Sequence, residues 1–257
     1  MTRTNIRRYL YLLRTFRNAW DLIRAYRSGE PVEQAVLWDG RRLIHPAQRS
    51  GFVGTILEVW WEQVYTSGFY TPRAGDQIVD AGAHVGLFSL WAARQEPRCR
   101  VLAIEPFSEN HACLKRNVSA FAATGVTVLQ AALGGRVGKA VIRPVGDRSI
   151  DHLLEDAAAM PDVEPVEVLD LAALLDRAGA REIAFFKCDV EGSERDAFET
   201  ATPDTLARIE RIALEYHDNL RPGTLDLLRE RLAATHEVEV RPEPGQLHGL
   251  LRAWRRR

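Results

Sequence analysis

Cysteine is scarce in this chain, and its three copies, Cys99, Cys113 and Cys188, stand far apart. They form neither a CxxC pair nor another metal-ligand spacing. That excludes a disulfide scaffold and points to reduced thiols in the cytoplasm. Long apolar runs are also missing. Arg14 interrupts YLYLLRTF and no small-residue cleavage site follows, so neither a signal peptide nor stable membrane insertion is expected. No charge of one sign dominates, since the formal net charge is −1. A global field that would recruit nucleic acid is therefore absent. Internal repeats and low-complexity tracts are lacking as well. Apolar residues are plentiful, at 46% of 257 positions, enough for one large α/β domain with extensions.

Residues 5–27 read as one basic amphipathic helix. Ile6, Tyr9, Leu13, Phe16, Trp20 and Ile23 recur at spacings of three and four, and Arg3, Arg7, Arg8, Arg14, Arg17, Arg24 and Arg27 surround them. Such a helix serves a membrane surface or a partner, or, more commonly, docks on its own domain or pairs in a homo-oligomer. SGEP at 28–31 ends it, and a hairpin turning at Asp39-Gly40 is expected within 32–50. We divide the chain into this extension, 1–50, and a main domain, 51–257. A helix is expected near 54–66. Strands are expected near 77–80, 100–105, 126–131, 138–143, 183–189 and 210–215. Helices are expected near 85–95, 108–121, 168–178, 193–200 and 222–234. Gly134-Gly135 suits a tight connection between strands, and 144–164 reads as a loop. The βα alternation implies a mainly parallel sheet with helices on both faces.

Chemistry enters with IVDAGAHVGLFSL, residues 78–90. A β-branched strand ends at Asp80, and a turn with Gly82 and Gly86 leads into a helix. A dinucleotide turn needs a second glycine where the pyrophosphate approaches the backbone. Here Gly82-Ala83-His84 puts a side chain in that place. The turn suits a ligand without pyrophosphate, such as S-adenosylmethionine. One βα unit later, RVLAIEP ends in Glu105-Pro106, where a carboxylate can accept both hydroxyls of a ribose. FFKCDVEGSE then carries Asp189, Glu191 and Glu194 to a third strand end, and IALEYH carries Glu215 and His217 to a fourth.

These four blocks, with AIEPFSENHACLKRNV and FFKCDVEGSERDAF in full, resemble the FkbM-type family of S-adenosylmethionine-dependent methyltransferases. The resemblance runs in order over about residues 57–251, and includes VYTSGFY and VEVLDLAALL. K-x-D-x-E-G-x-E combined with L-E-Y-H is its most specific part. Two departures stand out: His84 where the family often has Asn, and Cys188 where it often has Ile. The resemblance implies a Rossmann-like class I methyltransferase fold: a seven-stranded sheet whose antiparallel last strand comes from EVEVRP and the LHGLL region. It also implies O-methylation of a hydroxyl on a sugar, glycan or natural product.

On this reading Asp80, Gly82, Ala83, His84, Gly86, Glu105, Pro106 and Asp189 form the cofactor site. His217 is the first candidate for the general base, because an imidazole titrates near neutrality. Asp189 and Glu191 are the second, as base or as partners orienting His217. A divalent metal on Asp189, Glu215 and His217 is compatible with those ligands, although the spacing does not demand one. Arg143, Arg148 and His152 either meet an acidic or polyhydroxylated acceptor or are solvated loop charges. The rival readings are a non-catalytic S-adenosylmethionine-binding module and a dinucleotide-dependent oxidoreductase, the latter opposed by His84.

Overall fold

The computed structural model describes residues 3–144, 152–156 and 164–256. The N-terminal segment is two helices, α1 (Arg3–Thr15) and α2 (Ala19–Ser28), rather than one. The break has a clear cause. Phe16 forms a β-bridge with Leu37, and the Arg17 amide donates to the Val36 carbonyl at 2.7 Å. The Asn18 side chain holds the gap open, donating to the Gln34 carbonyl and accepting from the Val36 amide. The hairpin β1 (Gln34–Val36) and β2 (Arg42–Ile44) thus stitches into the kink. Leu12, Phe16, Leu22 and Leu43 share a buried core with Ile78, Leu90 and Phe185, so the extension packs on the body.

The next segment is α3 (Phe52–Ile56), continued by a π-helical stretch, Leu57–Glu62. It ends at Gln63, whose positive φ of 51° turns the chain into YTSGFY. Arg252 lies fully buried under that turn and donates to the carbonyls of Val64 and Ser67.

The main sheet contains β3 (Gln77–Ala81), β4 (Arg100–Ile104), β5 (Val126–Leu129), β10 (Phe185–Cys188), β11 (Arg211–His217), β12 (His236–Pro242) and β13 (His248–Arg255). Its seven strands run in the order β12-β13-β11-β10-β3-β4-β5. Only β13 opposes its neighbours, pairing antiparallel with β11 and β12. Helices α4 (Leu87–Gln95), α5 (Ser108–Ala120), α6 (Leu171–Arg177), α7 (Ser193–Thr200), α8 (Pro203–Ala207) and α9 (Thr224–Leu232) connect these strands. Separate apolar cores cover the two faces, one around Val85 and Phe88, the other around Phe186 and Leu214. This is the Rossmann-like class I methyltransferase architecture, with strand order reversing between β3 and β10, where open α/β sheets bind ligands.

Three expectations need correction. The strand at 138–143 leaves the main sheet: β7 (Gly138–Pro144) joins β6 (Ala132–Leu133), β8 (His152–Asp156) and β9 (Glu164–Leu169) in a four-stranded sheet of order β6-β9-β7-β8. Its short core is Phe107, Ala132, Ile142, Val166 and Val168. Strand β9 runs through Leu169, so the helix expected from about 168 begins only after it. Helix α6 starts later because the Asp170 side chain caps it, accepting from the Ala173 amide at 2.8 Å. The stretch expected as loop contains β8, and the rest of 145–163 lies outside the described residues.

Candidate active site

The glycine turn after β3 is tied to both neighbouring strands. Amides of Gly82 and Ala83 donate to the Ile104 carbonyl, at 3.1 and 2.9 Å, and the Asp189 amide donates to the Ala81 carbonyl at 3.0 Å. Gly82 has φ +73°, and a Cβ there would lie 1.7 Å from the Asp189 carbonyl oxygen. Only glycine lets the two strand ends approach so closely. His84 also takes a left-handed conformation, φ +52°, which asparagine and histidine tolerate better than most residues. Its ring packs edge-on against His45, with centroids 5.4 Å apart. Gly86 caps α4 at φ +89°.

Beside this turn opens a cavity. Gly82, His84, Glu105, Pro106, Asp189 and Glu191 all line it, together with Asn110 and an apolar wall that includes Ile104, Leu133 and Ile142. The second sheet supplies Leu133 and Ile142, so the strand that left the main sheet closes the pocket. Glu105 is buried. One carboxylate oxygen accepts from the His84 amide at 2.8 Å, the other from the Phe107 amide and Asn110 Nδ2, each at 3.2 Å. Burial pushes its pKa up to about 7 against the opposing pull of those bonds.

Asp80, Ala83, Gly86 and His217 do not line the cavity. Asp80 is fully buried behind the turn, accepting from Ser89 Oγ at 2.7 Å and facing Lys187 Nζ at 3.5 Å. Lys187 in turn donates to the Gly82 carbonyl at 2.7 Å and approaches Asp189 to 3.9 Å. Burial works against the Lys187 charge, but Asp80 and Asp189 outweigh it and raise its pKa. Asp80 is thus joined to the turn through Lys187.

Next to the cavity, ligand atoms of Asp189, Glu215 and His217 lie within 4.8 Å of one another. Asp189 belongs to both the cavity wall and this cluster. The Tyr65 hydroxyl ties the cluster together, 2.5 Å from Glu215 Oε1 and 3.2 Å from Asp189 Oδ2. Glu194, fully buried, accepts from the His217 amide at 2.9 Å and faces its Nδ1 at 3.1 Å. His217 Nε2 points toward Glu191, at 3.5 Å. Burial lowers the His217 pKa, but the bond and charge of Glu194, with Asp189 and Glu191, overcome it and push it up to about 10. A histidine in this setting is charged at neutral pH, not the neutral imidazole that general-base duty requires. Burial, reinforced by Asp189, pushes Glu215 up to about 8.

A family model described as the methyltransferase FkbM domain matches residues 80–234. The chain belongs to the FkbM methyltransferase family. Among its relatives, 31-O-demethyl-FK506 methyltransferase FkbM of Streptomyces tacrolimicus is 26% identical over 193 residues, covering 63% of this chain and 73% of that protein. Methyltransferase 1 of Beauveria bassiana is 26% identical over 162 residues, 55% of this chain and 65% of the relative. The AMB antimetabolite synthetase AmbE of Pseudomonas aeruginosa is 24% identical over 222 residues, which is 71% of this chain but 10% of that much longer protein. The fold is shared with a solved putative rRNA-methylase from Clostridium thermocellum, at TM-score 0.50 and 10% identity, covering 76% of this chain and 94% of that one.

Within this FkbM-family site, Tyr65, Lys187, Asn110 and Glu194 are residues to which the sequence alone assigns no role. Lys187 and Glu194 stand inside K-x-D-x-E-G-x-E, and Tyr65 inside VYTSGFY, so their motifs were visible while their partners were not. Arg143 and His152 fall in β7 and β8, and Arg148 lies outside the described residues.

Proposed function

We propose that this chain is an S-adenosylmethionine-dependent O-methyltransferase acting on a hydroxyl of a sugar, glycan or natural product. The observation that carries the reading is the double position of Asp189, on the wall of the cavity beside the glycine turn and within the Asp189–Glu215–His217 cluster. The donor set fits the cofactor. Glu105 offers carboxylate oxygens to ribose hydroxyls, Ile104, Leu133 and Ile142 offer an apolar slot for a base, and Gly82 with Asp189 closes the end nearest the cluster. Asp189 Oδ1 is a buried acceptor with no partner inside the protein, an oxygen left for a ligand donor. Bound there, S-adenosylmethionine supplies a methyl group made electrophilic by its sulfonium. Asp189 takes the acceptor's proton, and His217, held charged by Glu194, orients the carboxylates around it. The O-methyl wording in the name of the Streptomyces relative agrees with this reading.

A specific contact favours a divalent cation as an additional component. A ligating histidine typically gives its second nitrogen to a carboxylate, and His217 does so with Glu194 through Nδ1. Asp189, Glu215 and His217, the last after giving up its Nε2 proton, would hold such an ion, which would lower the pKa of an acceptor hydroxyl. The deciding experiment is methyl transfer from radiolabelled S-adenosylmethionine to a panel of hydroxylated glycans and natural products, with and without chelator. Cofactor binding without transfer to any acceptor would favour a binding module instead.

A further inference from the structure

The inner face of α1 and α2 is spent on the core, but their outer face is not. Along the exposed side of α1, Ile6 and Leu10 are 43% and 45% exposed, and Arg7 and Arg14 are exposed beside them. Two tryptophans flank that ridge. Trp38, 63% exposed, bonds through its indole nitrogen to the Leu13 carbonyl on one side. Trp61, 41% exposed, packs on Tyr11 on the other, with ring centroids 5.1 Å apart. The charge is as uneven as the apolarity. The first 28 residues hold seven arginines and one acid, Asp21, in a chain whose net charge is −1. Of those arginines, Arg8 turns inward to Glu62.

We propose that this face docks peripherally on an anionic phospholipid surface. Arginines at the rim are attracted by a negative surface potential. Tryptophans and short aliphatic side chains insert at headgroup depth, where an amphipathic ring is best solvated. An apolar seam for a second copy of the chain would not require an excess of one charge sign, which self-repels across a two-fold axis. Among the described residues no helix is long and apolar enough to cross a membrane, so the contact is superficial and reversible. The π-helical stretch that presents Trp61 leads directly to Tyr65, whose hydroxyl meets Glu215 and Asp189. The docking face and the acidic cluster are therefore joined through a single turn.

The test is flotation of the full chain with vesicles of phosphatidylcholine, alone or mixed with phosphatidylglycerol, at low and high salt. The expected result is flotation with the mixed vesicles alone, lost at high salt. Leu10→Ser and the pair Arg7→Glu with Arg14→Glu should each lower the bound fraction roughly tenfold or more. All three positions are exposed, and a far-ultraviolet dichroism spectrum matching the parent shows that the fold is kept. Equal binding to both vesicle types, absence of binding, or variants that bind like the parent would overturn the proposal. So would light scattering that shows a dimer split by Leu10→Ser, which would give the face to a second copy, or displacement from vesicles that requires RNA.

Discussion

Gly82→Ala is the most direct test of how the site is assembled. The added Cβ would stand 1.7 Å from the Asp189 carbonyl oxygen and 2.8 Å from its carbon. Ordinary contact needs about 3.4 Å or more, so the β10 end must retreat from the turn by over an ångström. That movement opposes the Asp189 amide bond to Ala81 and the parallel register of Cys188 with Ala81. Left-handed backbone adds about 1–2 kcal/mol for any residue with a Cβ. A lost backbone bond and a displaced strand end bring the expected destabilisation to about 3–5 kcal/mol. Gly40→Ala is the internal control: its φ is +88°, but a Cβ there meets nothing within 4 Å. It should cost only the conformational part. Urea unfolding of both variants separates the two effects, and calorimetry with S-adenosylhomocysteine reads the site. A Gly82→Ala protein as stable as Gly40→Ala, with parental ligand affinity, would refute the claim that close approach at Asp189 dictates glycine.

Further outcomes follow from the same structure. Glu105→Ala should weaken S-adenosylhomocysteine binding by about 1–3 kcal/mol, seen by calorimetry, since it removes the buried acceptor on the cavity wall. His217→Ala should depress kcat in the methyl-transfer assay while leaving cofactor affinity nearly unchanged; parental turnover would give the cluster a structural role. If a cation completes the cluster, chelation should abolish transfer, and added magnesium or manganese should restore it in the parent but not in Asp189→Asn. His45 gives a pH dependence: burial lowers its pKa from 6.5 to about 4. The unfolded chain therefore takes up a proton that the fold refuses, and stability should fall as pH drops from about 6.5 to about 4, by about 3 kcal/mol in all. His45→Phe should flatten that part of the urea-derived stability curve, and an unchanged slope would exclude His45 as its source.

Strands β3, β4, β10 and β11, each ending in an acid or histidine, were legible because their apolar runs stop at a turn signal. Periodicity and glycine chemistry are local properties, and local order alone carries them to one sheet edge. The blocks around Asp80, Glu105, Asp189 and His217 also identified the family, because motif order survives without knowledge of contacts. What could not be read was whatever depends on a distant partner. The amphipathic stripe from Ile6 to Ile23 is continuous in sequence, yet the helix breaks where Leu37 claims Phe16 and Asn18 binds the hairpin. The strand at 138–144 carries ordinary strand chemistry, and only pairing with 164–169 takes it out of the main sheet to wall the cavity. Asp80 sits at a strand end as expected, but only the folded chain shows that it is fully buried and faces Lys187, which donates to the Gly82 carbonyl. His217 has an ordinary histidine pKa in isolation. Folding brings Glu194, Asp189 and Glu191 around it and raises that value to about 10. Strand ends and turns are written in neighbouring residues, whereas protonation, burial and sheet membership are set by the sum of contacts from across the chain, and only the tertiary structure supplies that sum.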